Sequence, residues 1–208
     1  MDGYFDLENS MNIDRDLLKH SREFATALRN HQYEVSDAGI HFPKQGAIVS
    51  GAYTHNVNGM DERTDSNIVV TEGMYHMLDV VLHGTTAVGT WYFGLYSANY
   101  TPVGTLTAAT FTATTTEITS NTEGYSETTR QAFVEAAASA GSITNTASKA
   151  AFTIATASSI TVWGAGLLSS NVKGGTTGTL LSAAKFSAAR TLYNTDVFNL
   201  GYTLSLTS

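Results

Sequence analysis

The chain contains no cysteine. Disulfides, thiolate catalysis and cysteine-type zinc sites are therefore excluded. Proline is almost as scarce, with only Pro43 and Pro102. Charge is low: Asp, Glu, Lys and Arg make up 14% of the 208 residues, against about 25% in ordinary soluble domains. Bases are the rarer sign, and the formal net charge is −7. A surface that grips phosphates needs clustered Lys and Arg. Nucleic acid is thus not an expected partner, and neither is an anionic membrane. No apolar run approaches the ~18 residues of a membrane span. The acidic start, MDGYFDLENSMNIDRD, lacks the apolar stretch of a secretory signal.

What is present is a chain with 42% hydrophobic residues and 18 glycines, long enough to bury a core in one sizeable domain. A surface rich in Thr, Ser, Ala and Gly stays soluble through hydroxyls and backbone, or is covered by neighbours. Low charge is also a mark of buried interface cores. The charges concentrate early. Residues 1–84 carry 13 acids and 6 bases, whereas residues 85–208 carry five of each.

Residues 13–31 predict a helix, with Leu17, Phe24 and Leu28 on one face, Ala25 beside them, and Asp14 and Asp16 at its start. This segment, in an arm over residues 1–46, reads either as a surface helix packed on its own domain or as a helix that docks on a neighbouring subunit. Gly39 and Pro43 interrupt the chain after it. A domain follows over residues 47–208. Tyr53, His55 and Val57 alternate before Asn58-Gly59, the strongest short hairpin signal, and the return strand is expected from about Met60 to Val70. A covering helix is expected over Glu72–His83, because Met74, Leu78 and Val81 recur at helical spacing. Thr71 stands where a cap belongs, and Gly84 where such a helix ends.

From Thr90 onward strand signals dominate. Trp91–Tyr96 is an aromatic strand, Asn99–Pro102 a turn, and Phe111 and Ile118 lie in Thr-rich surroundings. Strands centred on Phe133, Ile143 and Phe152/Ile154 follow, then Ser159–Leu168, whose Gly164 and Gly166 suggest a bulge or a close backbone approach. Leu180–Phe186 comes next. The last strand is the clearest, with Phe198, Leu200, Tyr202, Leu204 and Leu206 at period two. The expected fold is mainly β, an antiparallel β-sandwich of jelly-roll or Ig-like form, with an N-terminal helical arm and one short covering helix.

Chemistry-bearing patterns are few. His20, His31, His41, His55, His76 and His83 match no metal-site spacing. Asp61, Glu62 and Asp65 cluster after the hairpin turn, where a solvated turn is a commoner role than a cation site. Gly174-Gly175-Thr176-Thr177-Gly178 lacks the Gly-Lys-Ser/Thr ending of a phosphate loop. Glu117, Glu123, Glu127 and Glu135 offer no spacing that selects a catalytic pair. No catalytic residue, cofactor or metal ligand is assigned. Alternation sends Trp91, Phe93 and Leu95 to the core, and Tyr92 and Tyr96 to an opposite face suited to an interface. The candidate interface residues are Leu17, Phe24, Leu28, Tyr92 and Tyr96.

Several segments carry a resemblance: NIVVTEGMYHMLDVVLHG, TWYFGLYSANYTPV, RQAFVEAAASAGSITNTASKAAFTI, ITVWGAGLLSS, KGGTTGTLLSAAKFSAARTL and DVFNLGYTLSLTS. In this order, from about Asn67 to Thr207, the chain resembles small structural proteins of tailed bacteriophages. The first 46 residues lie outside the resemblance, which supplies no catalytic residues. It implies a non-enzymatic virion component, assembled in the host cytoplasm, whose partners are copies of itself and other virion proteins (portal or adaptor, tail or capsid). The neck or tail, as a collar or adaptor-associated protein in a symmetric oligomer, is the expected place. A capsid decoration or head-fibre-anchoring protein is one alternative, and a carbohydrate-binding host-recognition module is another.

Overall fold

The computed structural model describes residues 48–207, with the backbone of two short strands before them. Residues 1–46, with Ser208, and residues 47–207 are separate compact units. In the first unit, β1 (Glu34–Ser36) pairs antiparallel with β2 (Gly39–His41). The helix expected over 13–31, and with it Leu17, Phe24 and Leu28, lies outside the described residues.

The second unit is mainly β, with two antiparallel sheets and, among the described residues, two α-helices. In chain order it contains β3 (Ile48–Val57), β4 (Met60–Ser66), β5 (Ile68–Val69), α1 (Thr71–Leu82), β6 (Trp91–Tyr96) and α2 (Ala108–Thr115). There follow β7 (Gly124–Tyr125), β8 (Gln131–Phe133), β9 (Ser142–Thr144), β10 (Ala150–Ala155), β11 (Ser159–Leu168), β12 (Leu180–Tyr193) and β13 (Val197–Thr207). The first sheet runs β4-β3-β13-β10-β7, with β9 also on β13, and the second runs β5-β12-β11-β6-β8.

Asn58 and Gly59 both have positive φ, 53° and 77°, and join β3 to β4 as the sequence predicts. The return strand is shorter than expected. It ends at Ser66, and Ile68–Val69 pair with β12 in the other sheet. The chain therefore crosses between sheets at Asn67. The ladder shifts register between His55 and Val57, and Asp61 opposite has φ 52°. A bulge of this kind re-aims a side chain, here the Asp61 carboxylate.

Both sheets contribute to one core. Tyr53, Phe152, Phe198, Leu200 and Tyr202 come from the first, and Phe93, Leu95, Val162, Leu167 and Phe186 from the second. Their rings meet edge-on or tilted, with Tyr53 6.2 Å from Phe93 and Phe133 5.9 Å from Tyr202. These are the offsets that aromatic quadrupoles favour. The Tyr53 hydroxyl donates to the Ser182 carbonyl oxygen at 3.2 Å, a polar contact across the core.

A second cluster covers another face of the second sheet. It is built from Val70, Tyr96, Leu106, Ala108, Phe111, Leu168, Leu180 and Ala183. Phe111 belongs to α2 and not to a strand, contrary to the sequence expectation. Its ring lies so close over Gly94 and Gly166 that a Cβ at either would stand 3.1 Å or 2.6 Å from it. Tyr96 needs the same kind of space. A Cβ on Gly164 would fall 2.2 Å from the Tyr96 ring and from the Ala184 carbonyl oxygen. The register shift at Val162/Gly164 marks the same spot, so the expected bulge and the expected close approach both occur there.

Candidate functional site

Among the described residues, helix α1 carries the largest group of exposed apolar side chains. Its N-cap is Val70, without a side-chain cap, so Thr71 is its first helical residue and not the cap the sequence suggested. His83 is the C-cap, and Gly84 follows at φ 71°, as expected of a helix-ending glycine. Glu72, in the first turn, turns inward, and its Oε2 accepts from the N–H groups of Ala108 and Leu180 at 2.8 Å each. One carboxylate thus fastens the start of α2 and the start of β12 to α1.

The buried side of α1 is formed by Gly73, with Met77 packed on the core. A Cβ on Gly73 would stand 2.3 Å from the Leu181 carbonyl oxygen. This glycine lets the helix lie against β12. Ala is the better helix former by about 1 kcal/mol, but backbone cannot yield as a side-chain tip can. Gly73→Ala is therefore expected to lose roughly 1–3 kcal/mol of stability, read as a lower denaturant midpoint. A gain in stability would show that α1 does not sit this tightly.

Met74, Leu78 and Val81 predict the face by which the helix covers the sheet. The structure reverses that reading. Met74 is 39% exposed, Tyr75 64%, Leu78 55%, Val81 77% and Leu82 79%. The helix is apolar around most of its circumference, and close seating at Gly73 decides which side goes in. The apolar surface does not stop at the helix. Met77, Val80 and Val81 form one wall of a groove whose other walls include Trp91, Phe133, Leu204 and Leu206. Val81 belongs both to the groove and to the outward stripe. An uncovered apolar area this continuous marks an interaction surface.

The other expected interface residues fare differently. Tyr92 is half-buried. Tyr96 is wholly buried, which corrects its placement at an interface. The cause is α2, whose Phe111 packs edge-on against the Tyr96 ring at 6.1 Å. The Tyr96 hydroxyl donates to the Ala184 carbonyl oxygen at 2.8 Å. Burial raises its pKa above the usual tyrosine range. Phe93, expected in the core, is buried as well.

The ionisable side chains form two internal assemblies. In the first, His55 is fully buried, stacked on Phe186 at 4.0 Å. Its Nδ1 accepts from Arg190 Nε at 3.0 Å, so the ring hydrogen sits on Nε2, which meets Asp65 Oδ2 at 2.9 Å. The Ser187 N–H donates to Asp65 Oδ1 at 2.7 Å, and Arg190 also donates to Asp61 Oδ2 at 2.5 Å. Burial holds the His55 pKa below its ordinary value, with the Arg190 charge adding to this against the opposing Asp65 bond. Asp61 is held below the usual carboxylate range by Arg63 and Arg190. Glu62 pairs with Lys149 instead. The acid cluster of the sequence is thus divided among separate partners. Among the described residues no three His, Asp or Glu side chains gather as a metal site.

The second assembly sits under the glycine-rich loop. Glu117 and Arg130 have fully buried side chains in a bidentate pair, with Nε–Oε1 at 2.7 Å and Nη2–Oε2 at 2.8 Å. Oε2 also accepts from the Thr112 hydroxyl at 2.7 Å and from the Gly174 N–H at 3.1 Å. Arg130 donates onward to the Ser170 and Gly175 carbonyl oxygens. The Gly174–Gly178 loop therefore binds an anion, but that anion is the chain's own Glu117. Sequence reasoning missed this pair, because twelve residues of loop and the short strand β7 lie between its members.

No family model matches the chain, and no curated protein matches it.

Proposed function

We propose that this chain is a non-enzymatic structural component of a tailed-phage virion, placed at the neck or tail as a collar or adaptor-associated protein, where it assembles as a symmetric oligomer. The fold that serves it is an antiparallel β-sandwich of jelly-roll or Ig-like form. The observation that carries the reading is the outward apolar face of α1, continuous with the groove beside it. Water gains nothing from such a face, whereas a second protein surface does. The internal pairing of Glu117 with Arg130 and of Asp65 with His55 supports it. Groups tied to one another in this way favour persistence over turnover. The scarcity of charge in residues 85–208 suits surface that neighbours cover.

Purified particles from infected cells provide the test. A collar or adaptor-associated protein is expected at about 6 or 12 copies per particle, as a closed ring requires, and should fractionate with portal and tail. Hundreds of copies on the head would replace this placement with a decoration role. Absence from the particle would overturn the reading.

A further inference from the structure

We propose that α1 pairs antiparallel with the α1 of a second copy, about a twofold axis passing through Leu78. The inference rests on the reading above that this face is an assembly surface; a twofold contact closes at two copies, so it pairs copies and is not itself the repeating contact of a ring.

The outward stripe is symmetric in sequence. Met74 and Leu82 stand four residues either side of Leu78, and Tyr75 and Val81 three residues either side. A twofold contact requires that if residue i meets residue j, then j meets i. An antiparallel pair centred on Leu78 meets that demand. Leu78 packs on Leu78, Tyr75 on Val81, and Met74 on Leu82. Every one of these positions is apolar, and all five are exposed in the single chain. Spacings of three and four residues also keep the contact on one side of a helix.

One flank of the stripe carries Asp79; His76 instead lines the groove, packed edge-on against Trp91 at 5.7 Å. Glu72 takes no part, because its Oε2 is already held by the Ala108 and Leu180 amides. The other flank carries Met77 and Val80 and opens onto the groove. The second copy's groove flank meets it, so the rim at Val81 is shielded from water as well.

The area is sufficient. Five large apolar side chains, 39–79% exposed, present roughly 500 Å² per copy, near the upper end of what a monomer leaves bare. Covering this on both copies buries about 1,000 Å², at the threshold for a specific interface. A contact of this size corresponds to self-association in the micromolar range.

The absence of cysteine makes the geometry directly testable in the full chain, since one substitution introduces the only thiol. The wild type is expected to be dimeric at about 100 μM, well above a micromolar Kd. Under mild oxidation Leu78→Cys is expected to give a covalent dimer, because the axis sets the two positions within disulfide reach. Met74→Cys alone is expected to cross-link poorly, whereas a mixture of Met74→Cys and Leu82→Cys yields the mixed dimer. Leu78→Glu is expected to weaken dimerisation at least tenfold and to leave the thermal melt of the monomer unchanged, since the side chain is more than half exposed. A wild type that is monomeric at this concentration overturns the pairing, while its presence in particles is judged separately. An oligomer in which Leu78→Cys does not cross-link, and in which Leu78→Glu changes nothing, overturns the twofold contact and leaves assembly through another surface standing.

Discussion

Arg130→Ala is expected to remove about 3–5 kcal/mol of stability, the largest loss of any single substitution considered. The reason lies in what remains behind. Glu117 has a side chain with no exposure to water, and both its oxygens accept from Arg130. Truncating the arginine leaves a buried carboxylate held only by the Thr112 hydroxyl and the Gly174 amide. It also strips a donor from the Ser170 and Gly175 carbonyl oxygens. An isolated buried ion pair is often replaceable by apolar residues at no loss. This one differs, because each member also serves backbone groups of the surrounding loops. The double variant Glu117→Leu/Arg130→Met is therefore expected to recover only part of the loss. A deficit of roughly 1–3 kcal/mol should remain from the orphaned backbone and hydroxyl groups. Equilibrium unfolding in urea measures both. A single-variant loss below about 1 kcal/mol, of the size seen for solvent-exposed pairs, would mean that water reaches the pair.

The contrast between what could and could not be read from sequence follows from the range of the interactions. The β3–β4 turn was legible because Asn58 and Gly59 tolerate positive φ by themselves, with no help from distant residues. β13 was legible nearly to its ends, because an apolar period of two needs only neighbours to be recognised, and β11 was legible from Ile160, Val162 and Trp163 followed by the glycines Gly164 and Gly166. Helix α2 was not legible. Its sequence, Ala-Ala-Thr-Phe-Thr-Ala-Thr-Thr, has weak helix propensity and one large anchor. It is held by Phe111 over Gly94 and Gly166, and by a carboxylate from α1 at its first N–H. Those contacts span up to 55 residues of sequence and leave no local trace. Tyr96 was misplaced for the same reason, since alternation assigns a side chain to a face but not the layer that covers that face. The orientation of α1 was hidden by its own composition. With apolar residues on most sides, spacing alone could not say which stripe faced inward, and the deciding residue is Gly73, which has no side chain to display a preference. The candidate surface could have been suspected only from excess: the helix holds more apolar residues than one buried face can use.

Asp65→Ala is expected to cost about 3 kcal/mol at neutral pH, because it leaves His55 Nε2–H and the Ser187 N–H without their acceptor in the interior. The same network predicts how wild-type stability responds to acid. His55 is neutral in the folded chain, with Arg190 Nε donating to its Nδ1. Protonation would set one donor against another, and burial opposes the added charge, so the folded pKa lies below the ordinary 6.5. Facing the ring are Asp65, Arg190 and Arg63, with Phe186 and Phe198 on its apolar sides. As pH falls through about 6.5 the unfolded chain binds the proton first, which favours unfolding. The stability associated with His55 is therefore complete above that pH and is lost as pH falls towards the folded value, at no more than about 1.4 kcal/mol per pH unit. Asp65 works in the same direction at lower pH. Burial opposes its charge, but the His55 and Ser187 bonds outweigh this and hold its pKa below the ordinary 3.8. Its contribution is present above 3.8 and fades below. His55→Gln separates the two effects. Glutamine can donate to Asp65 and accept from Arg190, yet it does not titrate. Unfolding free energies between pH 7 and pH 5 should decline less steeply for His55→Gln than for the wild type, and equal slopes would show that His55 keeps an ordinary pKa. The network ties the β3–β4 hairpin of the first sheet to β12 of the second. Acid should therefore loosen the join between the sheets, and amide exchange at Ser187 should quicken as the pH falls.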